Sequence, residues 1–398
     1  MTTVANSAGA VLLPNIDGSL GRHVLKPPRE WPQPQAPLRS RVAFAAAHVI
    51  PKPLSENVPG GAAAIDWDST LRYRHRIWSY GLGVADAMDT AQRGMGLDWP
   101  AAAELIRRSA AEARSVGGAI ACGAGTDQLD PSRTPEGAAG LAAVLAAYRE
   151  QIEAVAGSGA TVILMASRAL ARIARSAEDY AHVYGSLLAD ADRPVILHWL
   201  GAMFDPALAG YWGSDDVEQA TSAFLRIIDA HRAKVEGVKV SLLDAAHEIR
   251  LRAALPEGVR LYTGDDFNYP ELVVGDRKAH SDALLGIFAA IYPAASLAIQ
   301  ALDAGDDVTA RAILDGTQAL GRHIFEAPTY YYKTGIAFLS WLNGHQAAFS
   351  MVGGLHAGRS VLHLVELFRL ADAAELLADP DFAAHRMRRY LSVQGIGD

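Results

Sequence analysis

The sequence is nearly without sulfur chemistry: among 398 residues there is one cysteine, Cys122. An intrachain disulfide is excluded, and such usage suits a reducing cytoplasm. No long basic run occurs and the net charge is −8, so nucleic acid is not an expected partner. No basic segment followed by a long apolar core opens the sequence, so no signal peptide is expected. One uncharged stretch, "ALLGIFAAIYPAASLAIQAL" (283–302), has the length of a membrane span. Pro293 interrupts it and small residues dilute it. It reads as a buried strand running into a buried helix, with no membrane as partner. No glycine-rich dinucleotide turn follows the first apolar run, which argues against a doubly wound nucleotide-binding sheet. No H-x-H or H-E-x-x-H spacing is found, and neither a metal nor another cofactor is expected.

What is present is a large apolar content, 50%, with 20% charged residues. That balance fits a soluble globular protein with a sizeable core. Residues 1–40 read as an arm. "NIDGS" (15–19) between "AVLL" and "HVLK" predicts a small hairpin, because Asp-Gly favours a tight turn. The proline-rich "KPPREWPQPQAP" (26–37) should lie extended along a surface.

From Arg41 the text alternates. Eight short apolar runs appear: "RVAFAAAHVI" (41–50), "GVADAMD" (83–89), "GAIACGAG" (118–125), "ATVILMAS" (160–167), "RPVILHWLG" (193–201), "VEGVKVSLLD" (235–244), "VRLYTGDD" (259–266) and "DALLGIFAAI" (282–291). Between most of them lie amphipathic stretches such as "WPAAAELIRRSAAEARSV" (99–116), with apolar residues at three- and four-residue spacing. "TPEGAAGLAAVLAAYREQIEAVAGSG" (134–159) carries a threonine at its cap position and ends in glycine. Eight strands alternating with helices over about 250 residues predict a (β/α)8 barrel. The expected organisation is an N-terminal arm (1–40), the barrel (41–300) and a C-terminal helical region (301–398).

Barrel active sites form at the C-terminal ends of the strands. Those ends carry His48, Asp86, Asp89, Asp127, Ser167, His198, Lys239, Asp265 and Asp266. Lys239 stands out, because it sits inside "VEGVKVSLLD", an apolar run with the pattern of a strand buried on both faces. Burial lowers the pKa of an amine from about 10.4, and the neutral form can attack a carbonyl carbon. A structural ion pair is the other reading of such a lysine.

"EGVKVSLLD" resembles the lysine strand of the dihydrodipicolinate synthase / N-acetylneuraminate lyase family, whose members form an imine between a G-[IV]-K lysine and a 2-oxo acid. "VRLYTGDDFNYPELVVGDRKAHSDALLG" (259–286) is similar to the next strand, a Gly-Asp-Asp loop and the strand after it. "GAGT" (123–126) resembles the third-strand turn. "AGDDVTARAIL" (304–314) and "EAPTYYYKTGIAFLSWLNG" (326–344) resemble the C-terminal helices with their E-x-[NP]-P…K pattern. The likeness covers roughly 41–344. It implies Lys239 as the imine-forming residue and His198, at the position of a proton-relaying tyrosine, as proton carrier. A histidine there is expected to bring the titration nearer to neutrality. The likeness also implies a substrate-binding role for Thr90. Asp86, Asp89, Asp265, Asp266 and His48 are expected to bind substrate hydroxyls.

Departures from the family pattern bear on the substrate. The hydroxyl pair after the second strand is reduced to Thr90, followed by Ala91. Asp89 adds a negative charge beside it. The arginine expected after the fifth strand is missing from "GAMFDPALAGYWG" (201–213). These changes argue against dihydrodipicolinate synthesis itself. They fit a Schiff-base-forming lyase, aldolase or hydratase acting on a 2-oxo acid or keto-sugar-like carbonyl compound. Two further readings stay open: a metal-dependent sugar isomerase or lyase using His48, Asp86, Asp89, His198 and Asp265, and a non-catalytic barrel that binds a small carbonyl compound. Residues 345–398 are expected to form a helical cap or the subunit contact of a homodimer or homotetramer, because "GRSVLHLVELFRLADAAELL" (358–377) is too apolar for a solvated helix.

Overall fold

The computed structural model describes residues 9–276 and 278–396. Residues 1–8 of the arm and Arg277 lie outside the described residues. Ten strands form: β1 (Ala10–Pro14), β2 (Leu20–Val24), β3 (Ala43–Ala46), β4 (Gly83–Asp86), β5 (Ile120–Ala124), β6 (Thr161–Leu164), β7 (Val195–Leu200), β8 (Val235–Ser241), β9 (Arg260–Thr263) and β10 (Asp282–Leu285). β3 to β10 pair in parallel and in sequence order, and β10 closes onto β3. This is a (β/α)8 barrel, built from the eight apolar runs read in the sequence. The runs are apolar throughout because helices cover the outside of a parallel barrel and side chains fill its inside.

The pleat decides which residues face inward. Phe44, Ala85, Ala121, Ile163, Ile196, Tyr262 and Leu284 form one buried cluster inside the barrel. Ile196 pairs in register with Gly237, and His198 with Lys239. Two residues further along a strand is the same face one layer up. His198 and Lys239 therefore point into the barrel, one layer above that cluster.

Most helices start where a side chain caps them. Asp98 accepts from the Ala101 amide at the start of Trp99–Val116, which Gly117 ends at φ +66°. The cap at Thr134 does not form. The helix begins at Gly137 after Glu136, with no side-chain cap, and the Thr134 hydroxyl donates to the Asp130 carbonyl at 3.0 Å. A proline at 135 holds the preceding residue extended, which moves the start downstream. The uncharged stretch is β10 followed by the helix Ile287–Asp303, which crosses residue 300. Among the described residues no helix is long and apolar enough to cross a membrane.

The arm and the far end of the chain meet. β1 and β2 form the expected hairpin, with Asn15–Ser19 as its turn. Val11 and Leu13 bury their side chains, and β1 packs against the helices Val361–Ala373 and Pro380–Val393. His23 Nε2 lies 2.9 Å from Asp372 Oδ2, and the Lys26 amide donates to Asp372 Oδ1 at 3.0 Å. The apolar face of "GRSVLHLVELFRLADAAELL" is thus covered by its own chain. Leu364, Val365, Leu367 and Phe368 are fully buried, so this face does not require a subunit contact.

Glu248, on the outside of the barrel, yields a pH prediction. It is buried and accepts from Ser281 Oγ (2.7 Å) and Thr263 Oγ1 (2.9 Å). Burial pushes its carboxyl up to about 8, against the lowering effect of the Ser281 and Thr263 hydroxyls. In the unfolded chain it ionises near 4.3. Between those values the folded state holds the extra proton, so this group's contribution to stability declines as pH rises from about 4.5 to about 8. Glu248→Gln should flatten that decline in chemical denaturation midpoints measured across the window. An unchanged slope would contradict the assignment.

Candidate active site

The loop after β4 carries the first group of polar side chains. Ala87 and Gln92 both take positive φ, +48° and +65°, a conformation that strains non-glycine residues and tends to persist at functional sites. Between them sit Asp89 and Thr90. The Thr90 hydroxyl lies 2.7 Å from the Tyr332 hydroxyl, and Tyr332 donates to Asp89 Oδ2 at 2.6 Å. Because the tyrosine proton goes to the carboxylate, Thr90 donates to the tyrosine oxygen, giving a chain Thr90 → Tyr332 → Asp89. Lys333 Nζ stands 3.9 Å from the same carboxylate oxygen. Burial would raise the pKa of Asp89. The charges of Lys333 and Lys239, with the Tyr332 hydrogen bond, overcome it and hold Asp89 below its ordinary value. Asp89 is therefore a buried anion.

Lys239 is 4% exposed. Among the described residues no carboxylate lies within ion-pairing distance of it. Burial lowers its pKa, opposed by the charges of Asp89 and Asp266. Burial pushes Asp266 well above the usual carboxylate range, opposed by the Ile287 amide hydrogen bond and the Lys239 charge. Space for the lysine depends on Gly264, where a Cβ would stand 3.0 Å from Lys239 Cε.

His198 is fully buried. Its Nε2 is 3.3 Å from Ser241 Oγ, and its Nδ1 has no hydrogen-bond partner among the described residues. Burial, followed by the Lys239 charge, holds its pKa well below 6.5. This corrects the expectation of a titration near neutrality: the imidazole is neutral throughout the physiological range. The Lys239 charge lowers the His198 pKa further and the Asp89 charge raises it.

Other residues expected in the site are committed elsewhere. Asp86 is fully buried in a two-point ion pair with Arg74, at 2.7 and 2.8 Å. It ties β4 to the helix Trp67–Ser79 and offers nothing to a ligand. His48 bonds through Nε2 to Gln346 Oε1 at 3.0 Å and packs edge-on against Tyr73. Burial brings its pKa down to about 4. Asp265 accepts from the amides of Phe267 and Asn268 and from Asn268 Nδ2, each at 2.9 Å. It caps a turn. The set His48, Asp86, Asp89, His198 and Asp265 is therefore not assembled as a ligand cluster.

A cavity of about 200 Å³ opens over the barrel rim, a size suited to a small metabolite. Its charged lining is Asp89, Arg93, Asp127, Arg168, Asp205 and Lys333. Arg93 is spent on structure: it pairs with Asp127 and donates to the Gly123 carbonyl and Gln151 Oε1. Arg168 engages Asp205 through Nε, and among the described residues its terminal nitrogens have no hydrogen-bond acceptor. Lys333 is 2% exposed, donates to the Tyr330 carbonyl at 3.1 Å, and is lowered to about 8 by burial. Lys239 and His198 do not line this cavity; Asp89 connects it to them. Arg168, Tyr332 and Lys333 are the functional candidates not selected from the sequence. The only signal for the last two was the E-x-[NP]-P…K pattern.

A closed parallel barrel with a buried lysine on its sixth strand defines the class of fold. The model of the family described as "Protein of unknown function (DUF993)" matches residues 11–396, and the chain belongs to that family. Among curated proteins none matches the chain. Solved structures share its fold. Dihydrodipicolinate synthase from Aquifex aeolicus is 11% identical, with 89% of this chain and 98% of that one covered at a TM-score of 0.59. The chloride-inhibited dihydrodipicolinate synthase of Acinetobacter baumannii complexed with pyruvate is 15% identical (85% and 100% covered, TM-score 0.61). The Thermotoga maritima dihydrodipicolinate synthase is 13% identical (85% and 99%, TM-score 0.61). At these identities the likeness is one of fold.

The Arg74–Asp86 pair sets a stability prediction. Arg74→Met leaves a buried carboxylate without its partner, which costs about 3–5 kcal/mol. Urea denaturation should read that loss, and Arg74→Met combined with Asp86→Leu should recover most of it. A loss below about 1 kcal/mol in the single variant would show the pair to be dispensable.

Proposed function

We propose that the chain is an imine-forming lyase or aldolase acting on a small carbonyl compound with an acidic group and hydroxyls. The observation that carries this reading is Lys239: an inward-facing lysine whose pKa is lowered by burial, in register with His198. The dihydrodipicolinate synthase fold supports it.

In this reading the Lys239 amine adds to the substrate carbonyl carbon, and the carbonyl oxygen leaves as water after accepting two protons. Asp266, its pKa raised by burial and electrostatically tied to Lys239, is placed to supply one. The resulting iminium withdraws electrons, so a bond one carbon away breaks with its electron pair moving towards nitrogen. His198 receives or returns the proton at that carbon, using the unpartnered Nδ1 as base. Arg168, whose terminal nitrogens are free, takes the substrate's acidic group as a fork. It stands in for the arginine missing after the fifth strand. Asp205 and Asp89 accept from hydroxyls. The lining charges of the cavity balance, which favours a hydroxylated acid over a multiply charged anion.

A second reading has its own observation. Lys333 lines the cavity directly and titrates near 8, so it too is a candidate nucleophile. Borohydride trapping with a panel of 2-oxo acids and keto-sugars, followed by peptide mapping, decides between them. The expected adduct is on Lys239. An adduct on Lys333 would transfer the role, and no adduct with any member would leave a barrel that binds without forming an imine. Lys239→Ala should abolish turnover while preserving the circular dichroism spectrum.

The role of His198 is read separately. His198→Phe should slow turnover by about a hundredfold or more, the scale of one general acid–base group. Because the imidazole stays neutral, the wild-type rate should show no inflection from it between pH 6 and about 8. An alkaline-favouring profile set by Lys239 is expected instead. Wild-type turnover in the phenylalanine variant would reduce His198 to a packed residue.

A further inference from the structure

One cluster is unexplained by the proposed activity. His323 ends the helix Asp307–Ile324, Glu326 follows it, and His363 lies in the first turn of Val361–Ala373. One nitrogen of each histidine and a carboxylate oxygen all fall within 4.8 Å of one another. The two imidazoles stack at 4.1 Å. Among the described residues, Glu326 has no lysine or arginine partner for its carboxylate. Arg359 beside it donates to the backbone carbonyls of Ile324, Ala327 and Glu326 instead.

The hydrogen bonds fix which nitrogen is free. His323 Nε2 lies 2.9 Å from the His363 carbonyl. A carbonyl only accepts, so that nitrogen carries the proton. In the neutral ring the lone pair is then on Nδ1, which faces Glu326 Oε2 at 3.5 Å. A second proton on the ring or a cation between nitrogen and carboxylate satisfies that contact. His363 Nδ1 lies 2.8 Å from Glu326 Oε1, and its Nε2 is buried with no partner among the described residues. A backbone carbonyl holding the far nitrogen of a ligating histidine is the usual support for a metal site. The end of an 18-residue helix adds a negative dipole.

We propose that His323, Glu326 and His363 bind a divalent metal ion of the zinc class. Two imidazole nitrogens and a carboxylate oxygen suit zinc, with water completing a tetrahedron. In a zinc tetrahedron with bonds near 2.1 Å the ligands stand about 3.4 Å apart, so the observed separations, all within 4.8 Å, close by side-chain rotations. Glu326 is half exposed and provides the entry path. The ion would clasp the helix Asp307–Ile324 to the helix Val361–Ala373. It would anchor the segment that leads, six residues after Glu326, into Tyr332 and Lys333.

The test uses the full chain, stripped with a chelator and dialysed against Zn²⁺ alone. Metal analysis should find one tightly held ion per chain, and zinc should raise the melting temperature. Glu326→Gln, at a half-exposed position that leaves the fold intact, should weaken binding at least tenfold and remove the thermal shift. His363→Gln should do the same where it folds. Wild-type protein that holds no zinc after dialysis, or a Glu326→Gln variant that binds as tightly as wild type, would overturn the site.

Discussion

The carboxylate of Asp89 is the group on which the rim is organised. It is an anion in a place where anions are costly, and three elements supply what keeps it charged. Tyr332 and Lys333 come from the helix Tyr332–Leu342, Thr90 from its own loop, and Lys239 from β8. Removing its charge would act on every neighbour at once. Lys333 and Lys239 would lose a stabilising field, and the Tyr332 proton would lose its acceptor. The loop after β4, β8 and the helix Tyr332–Leu342 are thus tied together by electrostatics as well as by the packing of Tyr332 against Phe325 and Phe204.

The fold was legible in the sequence because parallel barrel strands announce themselves. A run such as "VILHWL" is buried on both sides, so its apolar continuity does not depend on which face is considered. Lys239 was legible for the complementary reason, as a charge where the pattern allows none. His48, Asp86 and Asp265 were misjudged because sequence position at a strand end does not reveal a partner. Arg74 lies one helix away from Asp86, and Gln346 lies almost three hundred residues from His48. Arg168 was passed over because an arginine at a helix start looks like a solvated charge. Only the cavity shows its terminal nitrogens to be free.

Likeness of backbone and likeness of chemistry separate in this chain. Its barrel superimposes on dihydrodipicolinate synthases at 11–15% identity, a likeness of fold. In this chain the loop after β4 supplies Asp89 and Thr90, and Arg168, paired through Nε with Asp205, opens the helix after β6. A scaffold whose strands fix positions while its loops supply groups permits exchange of those groups without disturbing the core.

The clasp between the arm and the C-terminal helices has a consequence for synthesis. His23 and Asp372 are 349 residues apart in sequence. At a translation rate of about 5–20 residues per second, the hairpin leaves the ribosome roughly 17–70 s before its docking partner exists. During that interval the buried faces of Val11, Leu13 and Leu25 have no native surface to cover them. The nascent arm is an adhesive edge until the helices Val361–Ala373 and Pro380–Val393 emerge and close over β1.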